Sequence, residues 1–267
     1  MTPHRPATHA ATSPWPRRLS KVRAALAGGL RALAVEGVPG SSLRIPLAAH
    51  RRYWAGPMGD ADLIAFLAAA LPRDGVFLDV GANIGVYSVA LAAAREGWLR
   101  GAAFEPVPET HRLLEQMLAL NGLEGFVAER LALSGARGML RFSAARGGAN
   151  NFALSGGAVA DGPVVTVDAV RLDDWVGAHP ELAPDAVKID VEGYELEVLK
   201  GGAETLARRR PPLVVECHCA SWPELGVSAA DVERQLRGLG YRTLEGRGGS
   251  PVNLGSCHET VQVLCTP

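Results

Sequence analysis

Residues 76–85 decide the fold, and they read Val-Phe-Leu-Asp-Val-Gly-Ala-Asn-Ile-Gly. The run starts with the apolar residues of a buried strand, passes through Asp79 and ends in a loop that contains Gly81 and Gly85. An apolar pattern with helical spacing follows from Val86 onward. A strand, a tight glycine turn and a helix in this order are typical of the cofactor-binding corner of a parallel α/β sheet.

The residues of this turn narrow the choice of cofactor. A phosphate-binding loop would place Lys and Ser or Thr after its last glycine, where this chain has Val86 and Tyr87. A dinucleotide fingerprint needs glycine where Asn83 stands, and the carboxylate of Asp79 would repel a pyrophosphate. S-adenosylmethionine (SAM) suits the turn better, because it carries an ammonium and a sulfonium and no phosphate. We therefore predict that SAM binds here, at Asp79, Gly81, Ala82, Asn83, Gly85 and Tyr87.

A second carboxylate stands where folds of this kind bind a ribose. Phe104-Glu105-Pro106 ends the next strand-like segment, about 20 residues after the glycine turn. The ionised carboxylate of Glu105 can accept hydrogen bonds from both ribose hydroxyls. We add Glu105 and Pro106 to the predicted SAM site; the alternative is an exposed acid at the start of a turn.

The composition favours an enzyme of ordinary size and gives no sign of a nucleic-acid partner. The chain has 267 residues, of which 48% are hydrophobic, and this is enough for a sizeable core. Lys and Arg number 27 against 28 Asp and Glu, and a net charge of −1 argues against nucleic-acid binding. The cysteines lack the paired spacing of a zinc site, so we interpret them as reduced thiols of a cytoplasmic protein.

Residues 1–72 are predicted to precede the main domain, which covers 73–267. Residues 1–20 mix Pro, His, Thr and Arg without a signal peptide, and we predict a disordered tail. Residues 21–35 carry apolar side chains at helical spacing, so a helical cap is predicted over 21–72. That first helix is too short and too charged for stable membrane insertion. Packing against the protein or a partner is favoured over a membrane-surface role.

Strand-like and helix-like segments alternate through the main domain. Their strongly apolar strands predict a mostly parallel, seven-stranded sheet with helices on both faces. The last strand, near 260–265, follows without an intervening helix and is predicted to be antiparallel. A single strand is expected over 126–133 and a single helix over 195–206. Residues 143–162 are rich in Gly, Ala, Ser and Asn and are predicted to form a long loop.

Charged side chains alternate with apolar ones in the segment 187–193. Lys188, Asp190 and Glu192 would share one face of a strand. Charges at the end of a buried strand are costly to desolvate unless they have a function. The opposing interpretation is that Glu192 and Glu195 only favour the N-terminus of the next helix through its dipole. That interpretation suits Glu195 well and Asp190 poorly.

The next strand ends in Glu216-Cys217-His218, where Glu216 and His218 share a face and would lie beside Asp190. Histidine is the side chain best suited to proton transfer near neutral pH. We therefore predict a catalytic cluster of Asp190, His218, Lys188 and Glu192.

Together these segments resemble the FkbM family of SAM-dependent methyltransferases. The matching stretches are 79–88, 104–108, 121–123, 167–175, 188–201 and 212–218. The resemblance implies a Rossmann-like class I methyltransferase fold and SAM contacts at Asp79, Gly81, Asn83 and Glu105. It also implies that the methyl group goes to a hydroxyl of a small molecule, a natural product or a sugar.

Methyl transfer to a hydroxyl requires alignment and removal of a proton. Alignment of donor and acceptor lowers the activation barrier by about 7–11 kcal/mol in favourable cases. A general base raises the reaction rate by a further factor of about 10²–10⁴. Asp190 and His218 are the candidate bases. Mg²⁺ held by Asp190, Glu192 and Glu216 is the alternative activator. We favour the route without a metal, because Lys188 on the same face would repel a cation.

Two other classes of protein stay open at this stage. A nicotinamide-dependent oxidoreductase shares the fold, although Asn83 and Asp79 suit it poorly. A non-catalytic scaffold would keep the packing residues and lose the charged strand ends, which this chain retains.

Overall fold

The first described residues form an antiparallel hairpin. The computed structural model describes residues 30–34, 42–46, 60–95, 99–144, 152–153 and 163–267. β1 (Leu30–Ala34) pairs with β2 (Ser42–Pro46). The helical cap predicted over 21–72 is therefore wrong at 30–34 and at 42–46, because a short apolar run fits both periodicities and the pairing of β1 with β2 decides between them. Residues 1–29 lie outside the described residues, and the disordered tail stays a prediction.

A seven-stranded sheet forms the centre of the main domain. Its strands are β3 (Val76–Val80), β4 (Arg100–Phe104), β5 (Phe126–Glu129), β10 (Ala186–Ile189), β11 (Leu213–His218), β12 (Thr243–Glu245) and β13 (Thr260–Thr266). Their order across the sheet is β12-β13-β11-β10-β3-β4-β5. All neighbours run parallel except β13, which is antiparallel to both β11 and β12. The predicted sheet and its antiparallel last strand are confirmed.

The strand order reverses between β3 and β10. From β3 the chain moves outward through β4 and β5, and it then returns to add β10 and β11 on the other side of β3. In open α/β sheets, ligands bind at such a point, in the crevice beyond the carboxyl ends of the strands. The topology therefore places the site above the ends of β3 and β10.

Helices cover both faces of this sheet. One face carries α1 (Ala61–Ala70), α2 (Val86–Ala94) and α3 (Pro108–Leu120), and the other carries α4 (Leu172–Ala178), α5 (Glu195–Gly201), α6 (Ala203–Arg209) and α7 (Ala229–Gly238). Phe77 and Leu78, adjacent on β3, pack into opposite cores because neighbouring strand residues point to opposite faces. None of the helices in the described part of the chain has the length and hydropathy to cross a bilayer.

The helix expected over 195–206 is divided in two. α5 ends at Gly201 and α6 starts at Ala203. A Cβ at Gly201 would overlap the backbone carbonyl of Ser134, so only glycine permits this approach of the chain. Consecutive glycines at 201 and 202 are also weak helix formers, and the helix breaks there.

A second, smaller sheet lies beside the main one. Its strands are β6 (Ala132–Leu133), β7 (Gly138–Ser143), β8 (Phe152–Ala153) and β9 (Val164–Val170), in the order β6-β9-β7-β8. The single strand expected over 126–133 is therefore wrong, because its end pairs with β9 and not with β4. The loop predicted over 143–162 begins within β7 and contains β8; residues 145–151 and 154–162 lie outside the described part.

Candidate active site

A cavity of about 250 Å³ opens at the reversal point of the main sheet. It is lined by nine of the predicted site residues: Gly81, Ala82, Asn83, Tyr87, Glu105, Pro106, Lys188, Asp190 and Glu192. Asp79, Gly85 and His218 do not line it and lie behind its wall. The structure thus brings residues of three separate sequence segments to one cavity.

The glycine turn has backbone conformations that few residues tolerate. Gly81, Asn83 and Gly85 have φ angles of 71°, 53° and 85°, in the left-handed region. A Cβ at Gly81 would overlap the carbonyl oxygen of Asp190, and one at Gly85 would lie 2.6 Å from Leu114 Cδ1. Gly81 is therefore required for contact between the turn and the end of β10, while Gly85 lets α2 pack on α3.

Asp79 supports this turn from behind. The residue is fully buried, and its Oδ2 accepts hydrogen bonds from the Ser88 amide at 3.2 Å and the Ser88 hydroxyl at 2.7 Å. Its Oδ1 lies 3.5 Å from Lys188 Nζ. The carboxylate thus joins β3, the start of α2 and β10, and the structure places it one layer below the cavity surface.

Lys188 is a buried cation that connects the turn to the end of β10. Its ammonium donates to the Gly81 carbonyl at 2.8 Å and lies 3.2 Å from Asp190 Oδ2 and 3.5 Å from Asp79 Oδ1. Burial by itself lowers the pKa of Lys188, but the carboxylates of Asp190 and Asp79 outweigh burial and raise it above the usual value. Lys188 therefore stays charged and is unsuited to act as a base.

Glu105 stands directly after β4, at the edge of the cavity. The residue is 4% exposed, and its Oε1 accepts a hydrogen bond from the Val107 amide at 3.0 Å. Its own amide donates to the Glu129 carbonyl at 3.0 Å, which fixes the backbone beside β5. The predicted ribose-binding carboxylate is thus held on the cavity wall by the backbone around it.

Three carboxylates face one nitrogen of His218. His218 Nε2 lies 3.2 Å from Glu192 Oε2, 3.8 Å from Glu216 Oε1 and 3.9 Å from Asp190 Oδ1. Each of two carboxylates is anchored through its other oxygen: Asp190 Oδ2 by Lys188, and Glu216 Oε2 by Gln262 Nε2 at 3.1 Å. The predicted cluster of Asp190, Glu192 and His218 is assembled at the cavity wall.

The ring of His218 is bound on its opposite side by a residue that the sequence did not assign to the site. Glu195 Oε1 lies 2.9 Å from His218 Nδ1. Burial lowers the pKa of His218, but the hydrogen bond to Glu195 and the surrounding carboxylates raise it to about 9. The free protein therefore holds an imidazolium at neutral pH.

The same cluster offers ligands for a divalent cation. Asp190, Glu192 and His218 each bring one ligand atom to within 4.8 Å of the others. Carboxylate oxygens suit Mg²⁺ and Mn²⁺, and imidazole extends the choice to transition metals. The ammonium of Lys188, 3.2 Å from Asp190, opposes a cation there.

The second sheet supplies an apolar wall that sequence reasoning missed. Leu131, Leu133, Leu140 and Phe142 line the cavity opposite the charged strand ends. No motif in the sequence marks these residues, because they reach the cavity only through the pairing of β6, β7 and β9. The cavity therefore has one charged side and one apolar side.

A parallel sheet that ends in an antiparallel β13, with a glycine turn at its reversal point, is the topology of Rossmann-like methyltransferases. The family described as Methyltransferase FkbM domain matches residues 79–243, which is more than half of the chain. The protein belongs to this family and is a SAM-dependent methyltransferase. The resemblance seen in the sequence is confirmed.

The relatives include a hexuronic acid methyltransferase and a 2-O-methyltransferase. Hexuronic acid methyltransferase AglP of Haloferax volcanii is 29% identical over 215 residues, covering 78% of this chain and 82% of AglP. The 2-O-methyltransferase NoeI of Sinorhizobium fredii is 33% identical over 157 residues, covering 51% of this chain and 61% of NoeI. The crystal structure of methyltransferase FkbM from Methylobacillus flagellatus is 18% identical, with a TM-score of 0.48; the match covers 72% of this chain and 44% of that one.

Proposed function

We propose that the protein transfers a methyl group from SAM to a hydroxyl of a sugar or a related small molecule. The observation that carries the proposal is the cavity in which the glycine turn and Glu105 meet the cluster of Asp190, Glu192 and His218. The names of two relatives, a hexuronic acid methyltransferase and a 2-O-methyltransferase, support a sugar acceptor.

The residues around the turn suit SAM. Glu105 supplies an acceptor for the ribose hydroxyls, and its position beside the turn agrees with this role. Gly81, Ala82 and Asn83 bring backbone to the cavity surface. The carboxylates of Asp190, Glu192 and Glu216 line the same cavity, and their negative charge favours binding of the ammonium in the methionine part of SAM. SAM supplies an electrophilic methyl group on its sulfonium. The protein supplies alignment and the removal of a proton.

Activation of the hydroxyl falls to Asp190 and His218. Asp190 lines the cavity and accepts the hydrogen bond of the acceptor hydroxyl in our proposal. The hydroxyl proton passes to the Asp190–His218 pair, whose facing atoms are 3.9 Å apart, and ends on Nε2 of the neutral ring. The raised pKa of His218 makes this neutral ring the minor form at neutral pH, so the transfer should speed up as the pH rises. The oxygen bonds to the methyl carbon, the carbon–sulfur bond breaks, and its electron pair stays on sulfur. Donor and acceptor thus leave as a neutral thioether and an ether.

A divalent cation on Asp190, Glu192 and His218 is the alternative means of lowering the pKa of the hydroxyl. The position of Lys188 beside Asp190 favours the route without a metal. Activity that is lost with EDTA and restored by Mg²⁺ or Mn²⁺ would establish the metal route. Activity that is indifferent to EDTA supports direct proton transfer.

The test combines an acceptor screen with Asp190→Asn. Purified protein, SAM and a panel of neutral sugars and uronic acids are analysed by mass spectrometry for addition of one methyl group. We expect a methyl ether product, a loss of about 10²-fold or more in turnover for Asp190→Asn, and SAM affinity within a few-fold of wild type.

Asp174→Asn is the matched control, because Asp174 is exposed, lies 3.6 Å from Arg171 and is not part of the cavity lining. It should turn over like wild type. Methylation of amines and not of any hydroxyl would contradict the proposed acceptor, and full activity of Asp190→Asn would remove Asp190 from the transfer step.

A further inference from the structure

Glu195 is a carboxylate sealed inside the protein directly behind the proposed site. It is the first residue of α5 and has no exposed surface. Removing a carboxylate from water is very costly unless hydrogen bonds compensate for the lost hydration. A helix N-terminus explains why an acid is tolerated here, but a helix dipole alone does not require complete burial of the carboxylate.

Three N–H groups converge on this carboxylate. The Gly193 amide donates to Oε1 at 2.8 Å, and the indole of Trp222 donates to Oε2 at 2.7 Å. His218 Nδ1 lies 2.9 Å from Oε1. Trp222 is 1% exposed, so the side chain behind Glu195 is itself fixed by the core. The carboxylate therefore has a single orientation, and it presents one oxygen to the imidazole.

This arrangement decides which nitrogen of His218 carries its hydrogen. An ionised carboxylate only accepts hydrogen bonds, so Nδ1 must be the protonated nitrogen in the neutral ring. Nε2 then faces Glu192 Oε2 at 3.2 Å and Asp190 Oδ1 at 3.9 Å, on the cavity side. A ring turned by half a revolution would place carbon atoms against Glu195 and lose this hydrogen bond.

We propose that Glu195 is a positioning residue for methyl transfer: it holds His218 with Nδ1 protonated, so that Nε2 is the atom that receives the proton of the acceptor hydroxyl. The inference rests on the proposed function for its catalytic meaning. The tautomer and orientation of the ring follow from the geometry of Glu195, Gly193 and Trp222 alone and are tested without an acceptor.

The charge of Glu195 also affects the proton affinity of His218. Burial lowers the pKa of His218, and the hydrogen bond and negative charge of Glu195 are the largest effects that raise it. Glu192, Asp190 and Glu216 face Nε2 and add to this, while the ammonium of Lys188 acts on Asp190 from the far side. Replacing Glu195 by the neutral Gln should therefore lower the pKa of His218.

The experiment is a nuclear magnetic resonance titration of the full-length protein with ¹⁵N-labelled histidine, with His218 assigned from His218→Gln. Well above pH 9, beyond the raised pKa of His218, the wild type should show a neutral ring with its hydrogen on Nδ1. Glu195→Gln should lower the pKa of His218 by at least one unit, which is a tenfold loss of proton affinity, and should populate both tautomers. Glu197→Gln, two residues further along α5 and paired with Lys200, is the control and should leave both properties unchanged.

The outcome for the wild type decides the proposal even if Glu195→Gln does not fold. A neutral His218 with its hydrogen on Nε2 would overturn it. An unchanged pKa and tautomer in a folded Glu195→Gln would do the same.

A pH profile of methyl transfer then tests the catalytic meaning. The wild-type kcat/KM should rise with pH through about 9, because only the neutral ring accepts a proton. In Glu195→Gln the rise should move to lower pH and the maximum should fall at least tenfold, with SAM affinity within threefold of wild type. If the hydrogen lies on Nδ1 but kcat/KM does not rise with pH, His218 does not accept the proton. The orientation of its ring by Glu195 would still hold.

Discussion

Lys188→Met tests how the glycine turn is attached to the end of β10. The ammonium of Lys188 is buried between Asp79, Asp190 and the Gly81 carbonyl, at distances of 3.5, 3.2 and 2.8 Å. Removing one partner of a buried ion pair costs about 3–5 kcal/mol, because the other charge stays buried without compensation. Here Asp79 has no access to water at all. Typical domains are stable by only about 5–15 kcal/mol, so this loss is a large part of the total.

The assay is equilibrium unfolding in guanidinium chloride, with SAM affinity measured by calorimetry on the folded variant. We expect Lys188→Met to lose about 3–5 kcal/mol of unfolding free energy and to bind SAM more weakly, since the Gly81 carbonyl loses its donor. The double variant Lys188→Met/Asp79→Asn should recover at least about half of the lost stability, because it removes both buried charges together.

Lys200→Met is the control for this measurement. Lys200 pairs with Glu197 at 2.7 Å, but its side chain is 48% exposed, so the change should cost less than about 0.5 kcal/mol. A loss below about 1 kcal/mol for Lys188→Met, or a double variant no more stable than the single one, would show that Lys188 does not hold the turn.

Two further substitutions probe the SAM side of the cavity. Glu105→Ala removes the acceptor proposed for the ribose hydroxyls, a loss of about 1.5–3 kcal/mol or roughly tenfold or more in Kd by calorimetry. Unchanged affinity would exclude Glu105 from the site. Gly81→Ala should abolish SAM binding and lower the unfolding free energy by more than about 2 kcal/mol, because its φ of 71° disfavours a side chain and its Cβ would overlap the Asp190 carbonyl. Gly177→Ala, within α4 and with open space around it, should be neutral or slightly stabilising, and equal effects of the two changes would refute this reasoning.

The main sheet was predictable because its strands bury both faces. Every residue of β3 and of β10 is buried, and all of them except Asp79 and Lys188 are apolar, so both strands are visible in the sequence. The hairpin at 30–34 was not predictable, because five residues carry too little periodicity to separate a strand from a helix. The break after Gly201 depends on a contact with Ser134, and no local pattern reports a contact between such distant positions.

The part of the candidate site that lies at strand ends could be predicted from the sequence. Asp190 and Glu192 follow β10, and His218 is the last residue of β11; topology alone brings such strand ends together. Glu195 was assigned to a helix N-terminus, because its partners His218 and Trp222 are 23 and 27 positions away and their approach is a tertiary property. Lys188 was placed in the catalytic cluster by its face on the strand, whereas its contacts tie it to the glycine turn.

The second sheet has a consequence for how acceptor preference is encoded. The main sheet is interrupted after Glu129 and resumes at Ala186, and the chain between these points contributes Leu133, Leu140 and Phe142 to the cavity. Gly81 and Glu105 come from the stretch before the interruption. The apolar side of the cavity thus comes from one contiguous block of sequence, which contains none of the charged residues that line the cavity. We expect that exchanging the block between β5 and β10 for that of a relative transplants selectivity for the methyl acceptor as one unit, while the donor site stays intact.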